Sequence, residues 1–244
     1  MSTLLNGLAA SSGIAIAPAY LLVGPDLSVN QQYSANENHE VKRLHDSFAL
    51  TLNEVRTIRQ HAHKLLGKRA AVVVDDQLAI LDDRSLHAEI LKKVNRDHFS
   101  AEWAIKKTAD EQLKILEKMN DNDYLSSRAT AIKDVTKRVL SHLMGVELPN
   151  PNLLDHRAIF VAQNITPTDT AQFDRRFVAG LATDDGSRTS HFTIMSKTLS
   201  LPAVVGTENA TKIIKNGDLL IVDGIHGKVI ANPSEEEVDH YQRL

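Results

Sequence analysis

Several features are absent from this sequence, and each absence excludes a class of protein. No cysteine is present, which excludes disulfide bonds, a thiolate nucleophile and cysteine-ligated metal sites. No apolar run approaches the roughly 18 residues that a membrane-spanning helix needs. The formal net charge of −3 gives no electrostatic footprint for nucleic acid or for an anionic membrane surface. A basic segment followed by an apolar stretch, typical of a signal peptide, is also absent, so we expect a cytoplasmic protein.

The residues that are present predict two kinds of structure. With 244 residues and 42% hydrophobic content, the chain can bury a sizeable core as one large or two modest domains. Small and apolar side chains alternate at the start of the chain, which predicts short strands. Helical spacing follows a capping-box signature at Ser34 and Glu37, and it predicts four helices. The second helix, over about residues 69–94, is interrupted near Asp82, with a new N-cap expected at Ser85.

The hydrophobic period changes after Pro149 and Pro151, which indicate a linker. Five short apolar stretches beyond it predict strands of a compact α/β domain, and we expect the N-terminal strands to join the same sheet. The predicted fold class is therefore an α/β domain with an all-α four-helix domain inserted in it. The predicted parts are 1–33 with 146–233 for the α/β domain, 34–145 for the helical domain and 234–244 for the start of a linker helix.

One loop of small, polar and charged residues carries the strongest functional signal. It leads into a helix-like stretch and consists of Gly186, Ser187, Arg188, Thr189, Ser190 and His191. The free amides and the dipole at the start of a helix favour an anion, and a guanidinium and hydroxyl groups add further donors. A neutral imidazole is a competent nucleophile near pH 7, so we infer that His191 transiently accepts a phosphoryl group. The alternative is an ordinary loop histidine, which fits most of the eleven histidines in the chain.

Three stretches occur together around this loop: Ser190-His191, Ile194-Met195, and the run from Leu201 to Gly206. In these three stretches the chain resembles the phosphohistidine domain of phosphoenolpyruvate-utilising enzymes. The order of short strands, helices and α/β domain narrows the resemblance to the N-terminal half of enzyme I, the phosphoenolpyruvate–protein phosphotransferase of the bacterial sugar phosphotransferase system. This resemblance implies a swivelling phosphohistidine domain and an inserted helical domain that binds the carrier protein HPr.

The resemblance also implies a mechanism. In enzyme I a C-terminal domain binds phosphoenolpyruvate and phosphorylates the active histidine, which passes the phosphoryl group to a histidine of HPr. The matching residue is His191, with phosphate on Nε2, and Arg188 and Thr170 match the groups that assist it. Alternatively, Thr170 bonds only the backbone of its own helix. Mg²⁺ and dimerisation belong to the C-terminal domain in this family, so for this chain we expect no cofactor or metal, a monomer, and no reaction with phosphoenolpyruvate alone.

An acidic segment of the helical domain is the predicted HPr-binding surface. Its acidic and apolar residues surround the interruption of the second helix: Asp75, Asp76, Leu78, Ile80, Leu81, Asp82 and Asp83. Acids around apolar anchors suit a partner whose active face is basic. Arg128 matches a family arginine at the same interface. The alternative is that the aspartates form a solvated face and that the apolar residues belong to the core.

Five positions depart from the family pattern: Gln77, Ala131, Ser187, Phe192 and Lys197. Phe192 directly follows the histidine, and Lys197 keeps the charge of the usual arginine without its bidentate geometry. Two other functions therefore stay open. One is a non-catalytic module that docks the carrier but no longer reacts. The other is the swivelling domain of a pyruvate phosphate dikinase or phosphoenolpyruvate synthase, against which the inserted helices argue.

Overall fold

The computed structural model describes residues 2–244 with short gaps. Outside the description are residues 1, 67, 120–122, 152–153, 167–168, 171 and 188–190, together with the side chains of residues 65–66, 68–73, 123–124, 191–192 and 194–195. The chain forms two units, one made of Met1–Gly24 with Pro149–Leu244 and the other of Pro25–Leu148. The first unit holds the strands and the second holds the long helices. The α/β unit is therefore discontinuous in the sequence.

The helical unit contains five helices within the described residues. They are α1 (Glu37–Leu66), α2 (Lys68–Leu81), α3 (Arg84–Asp97), α4 (Ala101–Glu117) and α5 (Asp123–Met144). The predicted second helix is therefore divided into α2 and α3. Asp83 caps α3, because its carboxylate accepts hydrogen bonds from the amides of Ser85 at 2.9 Å and Leu86 at 3.2 Å. The N-cap expected at Ser85 is wrong, since the carboxylate two residues earlier already serves these amides.

The boundary between the units lies earlier than the sequence predicts. Residues 25–33 belong to the helical unit, although the sequence analysis places them in the α/β domain. Backbone bonds fix this segment beside α4: the amide of Ser100 donates to the carbonyl of Gln32 at 2.9 Å. Tyr33 forms a β-bridge with Phe99, and their ring centroids are 5.4 Å apart. Asn36 then caps α1 by accepting from the amide of residue 39 at 3.1 Å, so the capping box expected at residues 34–37 is corrected.

Apolar residues at helical spacing fill the interior of the helical unit. The buried set includes Leu44, Val55, Ile90, Val94, Ile132 and Val139. Charged groups at the edge of this core are paired rather than isolated: Arg43 binds Glu40, at 2.8 Å, and Glu102. Arg138, which is buried, binds Glu54 from α1. Partly buried guanidinium groups need such partners, because an unpaired buried charge costs several kcal/mol.

The α/β unit is built on one eight-stranded sheet within the described residues. Its strands are β1 (Thr3–Asn6), β2 (Leu8–Ser11), β3 (Ile14–Leu21), β4 (Ala158–Ala162), β5 (Val178–Thr183), β6 (Ala203–Val205), β7 (Leu219–Asp223) and β8 (Lys228–Ala231). They lie in the order β1-β8-β7-β3-β4-β5-β6-β2. The pairs β3–β4, β4–β5 and β5–β6 are parallel, and the other four pairs are antiparallel. The N-terminal strands therefore join the sheet, as predicted.

The first and last strands in this order are separated in the chain by Gly7 alone. Its amide donates to the carbonyl of Gly227 at 2.8 Å. A Cβ on Gly7 would lie 2.6 Å from the carbonyl oxygen of Val205 and 2.7 Å from Val204 Cγ1, closer than real Cβ contacts allow. Only glycine fits at this point, where the sheet curls and its two ends meet.

Three further helices of the α/β unit lie wholly within the described backbone, and residues 169–170 are also helical. The three helices are α6 (His191–Thr198), α7 (Ala210–Ile213) and α8 (Glu235–Gln242). A capping box starts α8, because Ser234 accepts from the amide of Glu237 at 3.2 Å while the Glu237 side chain accepts from the amide of Ser234 at 2.7 Å. Among all helices in the described ranges, none has the length and apolar character of a membrane span.

Candidate functional site

The structure places His191 at the first position of α6, directly after the loop that leaves the end of β5. The first amides of a helix have no partner within the helix, so this position adjoins groups that can bind an anion. The side chain of His191 lies outside the described residues, and so do Arg188, Thr189 and Ser190. The roles predicted for these four residues stay predictions.

A hydrogen bond from a side chain to the backbone holds the start of the histidine loop, which also approaches β6 closely. The hydroxyl of Thr183 donates to the carbonyl of Asp185 at 2.6 Å. Gly186 has φ +125°, and a Cβ there would lie 3.0 Å from Cβ of Val205. Both observations require glycine at position 186, because a side chain would strain the backbone and crowd the neighbouring strand. The predicted phosphate-loop glycine therefore has a clear conformational role.

Asp184 is a buried carboxylate at the point where β5 becomes the loop, with 7% of its surface exposed. Its Oδ1 accepts from the hydroxyl of Thr207 at 3.2 Å and from the amide of Thr211 at 3.2 Å, and the Thr211 hydroxyl donates to Oδ2. Sequence reasoning missed this group. An acid two residues before a glycine has the appearance of a turn residue, and the sequence does not pair it with threonines more than twenty residues away.

The far end of the loop is tied to α6 by Thr193. This residue is fully buried, and its hydroxyl donates to the carbonyl of Ser187 at 2.7 Å. The bond connects the first turn of α6 to the residue that precedes the undescribed segment 188–190. The role of Thr193 could not be predicted from the sequence, because a threonine inside a helix-like stretch has no distinctive pattern around it.

Thr170, predicted to assist the imidazole, is 2% exposed. Its hydroxyl donates to the carbonyl of Thr166 at 3.3 Å, which is the back-bonding that the sequence analysis gives as the alternative. The oxygen of a hydroxyl can accept a bond while its proton is donated. A role for Thr170 towards His191 therefore stays a prediction. The turn itself starts at Thr166, whose hydroxyl accepts from the amide of Asp169 at 3.2 Å.

The acids of the predicted HPr-binding surface have partners of several kinds. Asp75 pairs with Arg59 at 2.5 Å, and this pairing raises the pKa of the guanidinium. Asp76 accepts a hydrogen bond from the hydroxyl of Ser127. Asp82 is exposed. These three side chains lie in the helical unit at or near the surface, where a partner can contact them.

The predicted apolar anchors are mostly interior residues. Ile80 and Leu81 are 2% and 5% exposed, so they pack in the core and the prediction of them as docking anchors is corrected. Leu78 is half-buried. Two exposed apolar residues that sequence reasoning missed are Ile115 at 54% and Met119 at 52%. Helical spacing could not identify them, because exposed and buried apolar residues look alike in a sequence.

Asp83 and Arg128, each predicted at the HPr-binding surface, lie beside each other, with Arg128 Nη2 3.4 Å from Asp83 Oδ2. Asp83 therefore caps α3 and binds a guanidinium of α5 at the same time. Two departures from the family pattern are structural: Gln77 and Ala131 are buried, and Nε2 of Gln77 donates to Asp134 at 3.0 Å. Ser187 and Lys197 are exposed, and the side chain of Phe192 lies outside the description.

No group of three or more histidine, aspartate or glutamate side chains within the described residues is arranged to hold an ion. The chemistry of the described groups around the histidine loop is that of hydroxyls, amides and one buried carboxylate.

Two family descriptions match separate parts of the chain. The family described as PEP-utilising enzyme, N-terminal, matches residues 6–128, and the family described as PEP-utilising enzyme, mobile domain, matches residues 154–227. This chain belongs to the PEP-utilising enzymes. The mobile-domain match contains the whole histidine loop, and the N-terminal match contains most of the helical unit.

Relatives named phosphoenolpyruvate-protein phosphotransferase share nearly half of their residues with the chain over the aligned part. The protein of Latilactobacillus sakei is 46% identical over 239 residues, and that of Listeria innocua is 45% identical over 244 residues. These alignments cover 98% and 100% of the chain but 42% of each relative. The chain therefore spans less than half the length of the relatives it matches.

The fold is similar to that of solved enzyme I fragments. A solution NMR structure of enzyme I (nEIt) gives a TM-score of 0.89 at 35% identity and covers 98% of this chain and 97% of that one. A structure of the N-terminal domain of "Enzyme 1 - Nitrogen" gives a TM-score of 0.64 at 26% identity. The predicted resemblance to the N-terminal part of enzyme I and the predicted fold class are both confirmed.

Proposed function

We propose that this chain is a phosphoryl-transfer part of enzyme I, in which His191 carries a phosphoryl group from phosphoenolpyruvate to HPr. The observation that carries the proposal is the position of His191. It is the first residue of α6, within the segment that matches the mobile domain of PEP-utilising enzymes. The names of the relatives supply the reaction class, since they are called phosphoenolpyruvate-protein phosphotransferases.

The proposed reaction consists of two in-line displacements at phosphorus. In the first, the lone pair of His191 Nε2 attacks the phosphoryl group, and the bond to the enolate oxygen of phosphoenolpyruvate breaks with its electrons. In the second, a ring nitrogen of the HPr histidine attacks the same phosphorus, and the electrons of the P–Nε2 bond return to His191. Phosphoryl transfer of this kind needs positioning and charge neutralisation more than covalent help from the protein.

The groups proposed to neutralise charge lie around the start of α6. In the proposed site the amides of the first helical turn face the bound anion, and the helix dipole adds to their attraction. Arg188 supplies the cation in the proposed site, and Thr189 and Ser190 supply hydroxyl donors. No metal or cofactor takes part in the proposed exchange with HPr. Any Mg²⁺ belongs, by the resemblance, to the phosphoenolpyruvate-binding part of the longer relatives.

The proposed HPr-binding surface lies at the end of the helical unit where α3 begins. Lys93 pairs with Glu111 at 2.8 Å, and Gln112 donates to Glu89 at 3.2 Å, so α3 and α4 run antiparallel. Continuing this register places the end of α4 beside the start of α3. Two exposed apolar residues, two acids and one arginine therefore lie at one end of the unit: Ile115, Met119, Asp82, Asp83 and Arg128. Apolar anchors with acidic neighbours suit a carrier whose active face is basic.

Phosphoryl exchange with radiolabelled phospho-HPr tests the catalytic part of the proposal. We expect one labelled site per wild-type chain and no label on His191→Ala. His226→Gln is the matched control, because His226 is an exposed histidine in the same unit, and it should label like wild type. Undiminished label on His191→Ala contradicts the proposal, whereas HPr binding without any label would indicate a non-catalytic docking module.

Charge reversal at the start of α3 tests the proposed HPr-binding surface. Asp82→Lys should weaken HPr binding by about tenfold, mainly by slowing association at low salt. Asp97→Lys is the control, since Asp97 is also exposed but lies at the opposite end of α3. Equal effects of the two variants, in a titration followed by NMR, would contradict the proposed position of the HPr-binding surface.

A further inference from the structure

We propose that Asp184 is a positioning residue for the histidine loop, acting through a hydrogen-bonded clamp to Thr207 and Thr211. The inference rests on the proposed function, because it assigns a role in presenting His191 for phosphoryl transfer. None of the three residues is proposed to touch the phosphoryl group. They hold the start of the loop that leads to the reactive histidine, while Thr193 holds its end.

The backbone fixes the loop start on two sides only. The amide of Asp184 donates to the carbonyl of Ala162 at 3.0 Å, and the amide of Asp185 donates to the carbonyl of Gln163 at 2.8 Å. On the other side, the amide of Glu208 donates to the carbonyl of Asp184 at 3.1 Å. These bonds extend the sheet pairing beyond the ends of β4, β5 and β6, and they determine how the chain leaves the sheet.

The side chain of Asp184 adds a further set of bonds to the segment after β6. Its two oxygens take three donors, namely the hydroxyl of Thr207 and both the amide and the hydroxyl of Thr211. The Thr207 hydroxyl shares its single proton between Asp184 Oδ1 and the carbonyl of Thr183, which lies 3.0 Å away at the end of β5. Hydrogen bonds to a charged and buried acceptor are stronger than neutral ones and are costly to leave unmade. The clamp therefore restrains the point from which the loop departs.

Thr211 offers a way to test the clamp without altering the loop. It belongs to α7 and is separated in sequence from His191 by the whole of α6 and β6. Its hydroxyl is bound by the carboxylate of Asp184, so removing that hydroxyl changes the loop only through Asp184. Thr211 is half-buried, and valine has nearly the same shape as threonine. The variant Thr211→Val should therefore fold, and Thr211→Ser, which keeps the hydroxyl, is the matched control.

The experiment measures two quantities on the same variants: the rate of phosphoryl transfer to His191 and the protection of loop amides from hydrogen exchange. Thr211→Val should lower the rate of His191 labelling by saturating phospho-HPr about tenfold, because a misplaced nucleophile loses rate steeply. The affinity for HPr should be unchanged. Hydrogen exchange of amides in 185–187 and in the first turn of α6 should become about tenfold faster, while exchange in the helical unit stays the same. Thr211→Ser should restore both values.

Each result decides the inference. Unchanged labelling, or a serine variant as slow as the valine variant, would overturn it. Faster exchange with a normal labelling rate would reduce Asp184 to a structural residue and overturn the positioning role. If wild type takes no label, the proposed function fails, and the exchange data alone still test the clamp. Should Thr211→Val unfold, Thr207→Val removes another donor to the same carboxylate and must slow labelling and quicken exchange in the same way.

Discussion

Asp223 is a buried carboxylate at the end of β7 that stays charged because donors surround it. Its oxygens accept from the amides of Ile225 at 3.0 Å and His226 at 2.9 Å, and from His226 Nδ1 at 2.8 Å. Tyr241 of α8 adds its hydroxyl at 3.3 Å. Burial tends to raise the pKa of Asp223, but these hydrogen bonds outweigh it and hold the pKa below its ordinary value.

This lowered pKa predicts how stability depends on pH. A carboxylate with a lower pKa in the folded state contributes stability above its unfolded pKa of about 3.9 and loses it as pH falls through the folded value. Asp223→Asn should therefore cost about 1–3 kcal/mol at pH 7, and the difference from wild type should shrink below about pH 4. Urea unfolding at several pH values measures it. Asp239→Asn, an exposed aspartate of α8, should change little at any pH.

Single residues also mark the limit of sequence reasoning at the candidate site. The sequence indicates residues 186–191 as a candidate phosphate loop because their chemistry is compressed into one short stretch, and this role stays a prediction. Asp184 could not be predicted, since its partners Thr207 and Thr211 come from another part of the chain and meet it only in the folded sheet. Thr193 is a similar case: its meaning depends on the carbonyl of Ser187, which no side-chain pattern reveals.

At the scale of elements, the break between α2 and α3 depends on one cap. Asp83 satisfies two amides of the first turn of α3 and also binds Arg128. Asp83→Ala should lower the free energy of unfolding by about 0.5–2 kcal/mol, the usual cost of losing an N-cap. The control is Asp82→Ala, at an adjacent exposed position. Circular dichroism during urea titration measures both, and equal stability of the two variants would show that the cap contributes nothing.

The long helices could be predicted because their apolar residues recur at helical spacing, and some of them also begin at a recognisable cap. Ser100, for example, caps α4 as its position in the sequence suggests, by accepting from the amide of Trp103 at 3.3 Å. The break near residue 82 was also predicted, but the capping residue was misassigned. Asp83 and Ser85 are both good N-caps, so the sequence alone does not choose between them. Burial of Ile80 and Leu81 was likewise beyond the local pattern.

At the scale of the whole molecule, the α/β sheet depends on both ends of the chain. β1 pairs with β8, and β2 pairs with β6. A chain without residues 1–11 would leave β8 and β6 with unpaired edges, and we expect it to aggregate or to melt at a clearly lower temperature. A chain without Arg243 and Leu244, which are exposed, is the control. Thermal unfolding with light scattering compares them, and a stable monomeric truncated chain would contradict the expectation.

The two-unit organisation was predictable at this scale because composition and period change sharply along the chain. The strand order was not, since pairing between β1 and β8 joins residues at opposite ends of the sequence. The boundary near residue 25 was also missed. It depends on the hydrogen bond from the amide of Ser100 to the carbonyl of Gln32, which no local sequence pattern predicts.

The pairing of Thr3 with Ala231 has a consequence for synthesis on the ribosome. Helices α1 to α5 all belong to the unit Pro25–Leu148, so they can assemble while the rest of the chain is still being translated. β1 must wait for β8, whose residues are translated after the whole helical unit. Long-range pairing of this kind folds slowly, so the nascent chain carries a finished helical unit beside N-terminal strands that have no partner. A chaperone that binds unpaired strands would therefore bind this N-terminal segment for the longest time.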